Sequence, residues 1–139
     1  MKQARALRNN NPLNIRRGKS KWQGTRTDAK DKNFEEFISL AFGWRAAFIL
    51  LCKTYYARYH LRTMREIITK WAPPVENNTA AYIDRVAELS GLRPDTPLPE
   101  PHADPVTWLL IGAAMAVVES GETDNGTFSM LKGWMMAGI

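Results

Sequence analysis

Residues 104–121 read DPVTWLLIGAAMAVVESG and contain the longest apolar run of the chain, Val106 to Val118. Asp104 followed by Pro105 is typical of a helix start, with an N-cap residue and a proline at the first helical position, and Gly121 can end the helix. The run is well short of the roughly 20 apolar residues that cross a bilayer. We therefore predict a buried core helix and no membrane span.

The carboxyl group of Glu119, in the last turn of this helix, is the main candidate for chemistry. Burial and the negative end of the helix dipole both disfavour the charged form of such a group, which keeps a glutamic acid protonated near neutral pH. A protonated glutamic acid can act as a general acid. The alternative interpretation is a solvated glutamate at a helix end, which is the commoner case at such a position.

The composition is that of a folded globular protein. The chain has 139 residues, of which 45% are hydrophobic and 24% are charged. This length suits one domain with its own core, so we predict a single domain over residues 1–139. The lone Cys52 excludes an internal disulfide, and neither His60 nor His102 has a cysteine or carboxylate at a metal-binding spacing. We predict no metal and no cofactor.

The chain is basic, with a formal net charge of +5 and a pI of about 9.6. Such a surface attracts polyanions, which include nucleic acid, acidic lipid headgroups and the bacterial cell wall. The N-terminal residues Met1 to Arg5 are basic but lead into polar residues rather than an apolar segment, which excludes a secretory signal there. We therefore expect synthesis in the cytoplasm.

Four more helices are predicted, and loops with one small β-hairpin precede them. Turn sequences and short alternating pieces near Trp22–Thr27 and Phe34–Phe37 indicate the hairpin. The predicted fold class is mainly α, with about five helices and a minor β element. Apolar spacing and capping residues give the ranges of the four helices, which are Ser39 to about Tyr59, Thr63 to Pro73, Asn78 or Thr79 to Gly91, and Phe128 to Ala137.

An ordered series of motifs occupies the first third of the chain. It consists of Asn9-Asn10-Asn11-Pro12-Leu13-Asn14-Ile15-Arg16, Trp22-Gln23-Gly24, Phe34-Glu35-Glu36-Phe37 and Gly43-Trp44-Arg45. The series resembles that of the autolysin-type glucosaminidases, in which it follows a helix ending in glutamate-serine-glycine. Here that tripeptide is Glu119-Ser120-Gly121, at the opposite end of the chain. The chain thus resembles a circular permutant of the α+β lysozyme-like fold, and it departs from the glucosaminidase pattern at Pro12, Leu13 and Asn14.

A second resemblance concerns residues 71–86, which contain Trp71-Ala72-Pro73-Pro74, Glu76-Asn77-Asn78-Thr79, Tyr82-Ile83 and Val86. This stretch is similar to the lytic transglycosylase pattern, in which the tyrosine lies beside the catalytic acid. Over Arg8 to Gly138 the chain resembles a small phage or prophage family of virion structural or lytic proteins.

These resemblances imply cleavage of the peptidoglycan glycan backbone by a single lysozyme-like catalytic domain. Glu119 would protonate the leaving oxygen and then act as base, and Tyr82 would be its hydrogen-bond partner. Asparagines could equally cap turns, and aromatic residues could equally pack in the core. The candidate sugar-binding residues are Asn10, Asn11, Asn14, Arg16, Trp22, Trp71 and Asn77.

Two reactions remain open at this point. Most glycosidases need a second carboxylate, for which Asp28, Asp31, Glu35 and Glu36 are candidates. A lytic transglycosylase needs none, because the 6-hydroxyl of muramic acid attacks and leaves an anhydro sugar. We therefore predict a lytic transglycosylase or a muramidase.

The main rival is a non-catalytic virion structural or cell-wall-binding protein. Nucleic-acid binding through the basic segment Lys53 to Lys70 is a weaker rival, because no groove-reading motif is present. We expect peptidoglycan as the partner, no nucleic acid and a monomer. The protein would act on the cell wall after release from the cell, or as part of a phage virion.

Overall fold

The helices of the protein follow from its capping residues. The structure, a computed structural model, describes residues 3–139. Ser39, Thr63, Asn78 and Asp104 each accept a hydrogen bond from a backbone N–H in the first turn of a helix. The helices are α1 (Arg5–Arg8), α2 (Leu40–Phe48), π1 (Ile49–Arg58), α3 (Met64–Trp71), α4 (Thr79–Ser90), α5 (Pro105–Ser120) and α6 (Thr127–Ala137).

The mainly α class predicted from the sequence is confirmed. π1 continues α2 without a break, so the two elements form the one long helix that was expected over Ser39 to Tyr59. Thr63 and Glu66 make the predicted capping box at the start of α3. Gly91 and Gly121 end α4 and α5 with φ of 73° and 74°, a left-handed conformation that glycine adopts without steric cost.

The predicted β-hairpin near the N-terminus is wrong. Within residues 3–139 this region has two isolated antiparallel bridges, Arg16 with Phe34 and Thr25 with Phe37, and no strand. The two bridges differ in register, so they cannot belong to one ladder. Backbone hydrogen bonds at the two bridges, such as Glu35 N–H to the carbonyl of Ile15, hold this segment together with side chains. The buried Asn11 amide donates to the carbonyls of Ile15 and Glu35, at 3.0 Å each.

Helix α5 contributes much of the core. Trp108, Ile111 and Met115 of this helix are fully buried. The Trp44 ring on α2 stacks on Phe48, with ring centroids 5.4 Å apart. Leu13, Ile15 and Phe37 bring the N-terminal segment into the same cluster of buried side chains. Because that segment packs on the core, the end of α5 and the loop around Asn14 are held against each other.

The connection between α3 and α4 completes the frame of the site. The Thr79 hydroxyl donates to the carbonyl of Ala72, and Asn78 caps α4. Helices α4 and α5 pack on each other. The ends of α3, α4 and α5 thus meet on one side of the molecule. No helix within residues 3–139 combines the length and the apolar character needed to span a membrane.

Candidate functional site

The carboxyl group of Glu119 is held by donors from three separate parts of the fold. Its Oε1 accepts a hydrogen bond from Asn14 Nδ2 at 3.0 Å. Its Oε2 accepts from Trp71 Nε1 at 3.1 Å and from the Tyr82 hydroxyl at 2.8 Å. The N-terminal loop, α3 and α4 thus converge on one carboxyl group at the end of α5. Hydrogen bonds to both oxygens fix the orientation of the group.

The backbone of Asn14 suits its position beside α5. Its φ of 52° is left-handed, and asparagine is one of the few residues other than glycine that adopts this conformation routinely. The Asn14 amide also donates to the main-chain carbonyl of Glu119, at 3.4 Å. The loop therefore binds both the side chain and the backbone at the end of α5.

Tyr82 is a fixed donor toward this carboxyl group. Burial, and after it the neighbouring Glu119 charge, raise the pKa of the Tyr82 phenol well above its ordinary value. The phenol therefore keeps its proton throughout the physiological pH range. Its hydroxyl donates to Glu119 from the protein interior, since the Tyr82 side chain is buried.

A groove of about 380 Å³ opens in front of Glu119. This volume lies in the range of sites that bind small ligands. Asn14 and Trp71 line the groove together with Glu119. The other lining residues are Ile15, Arg16, Gly18, Ser20, Trp22, Phe34, Leu50, Tyr55, Ala72, Glu76 and Asn77.

The groove brings together most of the residues that the sequence suggested. Arg16, Trp22 and Asn77 line it with Asn14, Trp71 and Glu119. The Arg16 guanidinium lies 5.0 Å from the centre of the Phe34 ring, which holds it at the groove wall. Tyr82 donates to Glu119 but does not line the groove. The groove that Glu119 lines is therefore also lined by one cation, two indole rings and two amides.

Asn10 and Asn11 lie elsewhere and stabilise the loop. Asn11 is fully buried, and its amide group bonds to the backbone of Ile15 and Glu35 on both its oxygen and its nitrogen. The Asn10 amide donates to the carbonyl of Phe37 at 3.1 Å. These amides are occupied by the fold, so we assign them to loop structure rather than to a ligand.

None of the four described carboxylates that were candidates for a second catalytic group lines the groove. Asp31 accepts hydrogen bonds from Arg5 and Asn9 and so fastens α1 to the following loop. The Asn9 amide holds the pKa of Asp31 well below its usual range. The other three also lie outside the groove: Asp28 pairs with Arg26, Glu36 binds backbone N–H groups, and burial raises the pKa of Glu35.

Sequence reasoning missed several groove residues. Leu50 and Tyr55 belong to π1. Tyr55 was part of the apolar spacing that predicted this helix, and Leu50 was not singled out. Tyr55 is buried, and burial raises its pKa to about 12. Glu76 stood inside the transglycosylase-like stretch, next to Asn77, but its position in a turn carried no signal that it lines the groove. The available signal for Glu76 was its position next to Asn77 in that stretch.

Comparison with known proteins finds similarity to a phage protein. The chain matches no protein-family model. It is similar to Protein P5 of Pseudoalteromonas phage PM2. The two sequences are 44% identical over 92 residues, which is 64% of this chain. The match covers 57% of Protein P5, so the chain spans just over half the length of this relative. This similarity supports the part of the sequence-based resemblance that concerned phage proteins.

Proposed function

We propose that this protein cleaves the glycan backbone of peptidoglycan, with Glu119 as the general acid that protonates the leaving oxygen and then as base. The single observation that supports this most strongly is the Glu119 carboxyl group, held by Asn14, Trp71 and Tyr82 beside a groove. Positioned carboxyl groups of this kind transfer protons to bound substrates, typically with a 100- to 10,000-fold contribution to rate.

The other groove residues suit a glycan with peptide stems. Trp22 and Trp71 offer flat apolar rings for the faces of pyranose sugars. The Asn77 side-chain oxygen can accept from hydroxyl and acetamido groups, since its nitrogen donates to the carbonyl of Pro73. Arg16 offers a guanidinium for the carboxylates of the stems. These assignments name the substrate class as a carboxylated amino-sugar polymer, which is the chemistry of peptidoglycan.

A lysozyme-like fold with permuted chain order is part of the same proposal. The contact between Asn14 and Glu119 joins residues 105 positions apart in the sequence. This contact supports the idea that the N-terminal motif series and the glutamate-serine-glycine tripeptide form one site, as they do in contiguous order in the glucosaminidases. The reaction is then that of a lytic transglycosylase or a muramidase.

A phage setting is favoured by the similarity to Protein P5 of phage PM2. We infer that the protein acts on the cell wall after release, or as part of a virion. The same similarity carries no enzymatic activity, so it fits a second candidate function better than the first. In that alternative the protein is a non-catalytic virion structural or cell-wall-binding protein that uses the groove to hold glycan.

Clearing of purified cell walls tests the two functions. We expect the wild-type protein to lower the turbidity of a peptidoglycan suspension, and Glu119→Gln to do so at least about 100-fold more slowly, because the proton donor is lost. Glu122→Gln is the matched control, since Glu122 is exposed and lies outside the groove. Equal clearing by wild type and Glu119→Gln would contradict the assignment of the acid. Wall binding without any clearing would support the structural alternative.

A further inference from the structure

We propose that Glu76, in place of Glu119 in its second role, is the base that activates water in this groove, so that the cleavage is a hydrolysis with a reducing product. This inference rests on the proposed function and names the second catalytic group of the same site. Glu119 and Glu76 are the two carboxyl groups that line the groove within residues 3–139. The four carboxylates suggested by the sequence lie outside it.

The fold holds the backbone of Glu76 in a defined place relative to Glu119. Trp71 precedes it by five positions and Tyr82 follows it by six, and both donate to Glu119 Oε2, at 3.1 and 2.8 Å. The turn between them is braced, because the Glu76 N–H donates to the carbonyl of Pro73 at 3.1 Å. The Asn77 amide donates to the same carbonyl at 3.2 Å.

The Glu76 side chain is free to act on a ligand. It is exposed, and among residues 3–139 it has no hydrogen-bond or ion-pair partner, whereas Glu119 accepts three side-chain donors. A fixed carboxyl group suits proton donation to a bound sugar oxygen. A carboxylate without protein partners can accept a hydrogen bond and then a proton from water. The two groups thus differ in their surroundings, because three donors fix the orientation of Glu119 while Glu76 has no protein partner within residues 3–139.

The reaction balances without any further reagent. Glu119 gives its proton to the glycosidic oxygen as the bond between that oxygen and the anomeric carbon breaks. Glu76 takes a proton from water while the water oxygen forms a new bond to the anomeric carbon. Exchange with solvent then returns the proton of Glu76 to water and reprotonates Glu119. In a transglycosylase the 6-hydroxyl of the sugar would attack instead, and Glu76 would have no part.

Digestion of peptidoglycan in ¹⁸O-labelled water, followed by mass spectrometry, tests the inference. We expect wild-type fragments to carry one ¹⁸O atom at the reducing end, and Glu76→Gln to release such fragments about 100-fold more slowly. Glu122→Gln should match wild type. Sedimentation with intact walls should be the same for wild type and Glu76→Gln, because binding does not need the base.

Chemical rescue separates catalysis from a structural role. Glu76→Ala should regain hydrolysis when sodium formate is added, since formate can occupy the space of the lost carboxylate, and Glu119→Ala serves as the comparison. Wild-type products that are all anhydro sugars, or full hydrolysis by Glu76→Gln, would overturn the role of Glu76 and leave Glu119 intact. Absence of rescue by formate would also contradict it. No soluble fragments from wild type would overturn the proposed function and this inference together.

Discussion

At the scale of single residues, the site depends on how each donor reaches Glu119. Asn14 reaches it because a left-handed backbone turns the loop toward α5. Trp71 and Tyr82 reach it from the ends of helices whose positions are set by caps and a braced turn. A carboxyl group held in this way is pre-positioned before a substrate binds, which is what proton transfer in a bound complex requires.

The substitution Tyr82→Phe removes one of the two donors on Glu119 Oε2. We expect kcat/KM for wall digestion to fall about fivefold, because a typical net hydrogen bond, here one that orients the acid, contributes about 1 kcal/mol. Soluble fragments released per minute provide the measurement. Tyr59→Phe is a matched control, because Tyr59 is exposed and lies outside the groove. Identical rates for both variants would count against a role for the Tyr82 hydroxyl.

Residue type alone could not show which asparagine lines the groove and which ones stabilise the loop. Asn10, Asn11 and Asn14 stand in one motif, and the sequence suggested all three as sugar ligands. The structure uses the amides of Asn10 and Asn11 to bond backbone groups, and turns Asn14 toward the groove. The difference arises from local backbone geometry and burial, which depend on contacts with residues 35–37 and 119 far along the chain.

At the scale of elements, the helices were largely predictable and the N-terminal segment was not. Caps such as Thr63 with Glu66, and stops such as Gly91, act within a few residues, so local sequence contains the information. The expected hairpin failed because alternation over a few residues does not specify a partner strand or a register. Isolated backbone bridges organise this segment, together with the Asn11 amide, which donates to the carbonyl of Ile15, and the Asp31 carboxylate, which accepts from the Asn33 N–H.

The packing of α6 on α2 allows a sharp test at the element scale. A Cβ atom added at Gly133 would lie 2.4 Å from Trp44 Cβ and 2.8 Å from the Arg45 backbone nitrogen. Backbone atoms cannot move away by a side-chain rotation, so Gly133→Ala must increase the distance between α2 and α6. We expect a net loss of about 2 kcal/mol in the free energy of unfolding, after a helix-propensity gain of about 1 kcal/mol.

Urea denaturation of Gly133→Ala measures this loss. Gly18→Ala is the control, because an added Cβ there meets no atom within 4 Å. A midpoint for Gly133→Ala equal to that of wild type would mean that α2 and α6 do not pack as closely as described.

At the scale of the whole molecule, the net charge of +5 draws the protein toward an anionic surface. We expect binding to purified cell walls to weaken as salt rises, because the screening length falls from about 10 Å at 0.1 M to about 3 Å at 1 M. Co-sedimentation over this range of sodium chloride gives the bound fraction. Particles of chitin, an uncharged glycan, provide the control and should show little change. Wall binding that is insensitive to salt would contradict an electrostatic contribution.

Glu119 itself could be proposed from its place at the end of an apolar helix, but its partners could be predicted only through resemblance. Glu119 bonds to side chains 37, 48 and 105 positions away, and no local pattern links such distant residues. Similarity to two glycan-cleaving families suggested Glu119 with Tyr82. It did not single out Glu76, whose place in the groove depends on the packing of the turn between α3 and α4.

The contact between the N-terminal loop and the end of α5 has a consequence for biosynthesis. A ribosome adds Asn14 early and Glu119 late, so a growing polypeptide contains no complete groove until nearly all of residues 3–139 have been made. Products of premature termination or of proteolysis before residue 119 would keep Asn14, Trp71 and Tyr82 and lack the carboxyl group that these three side chains hold.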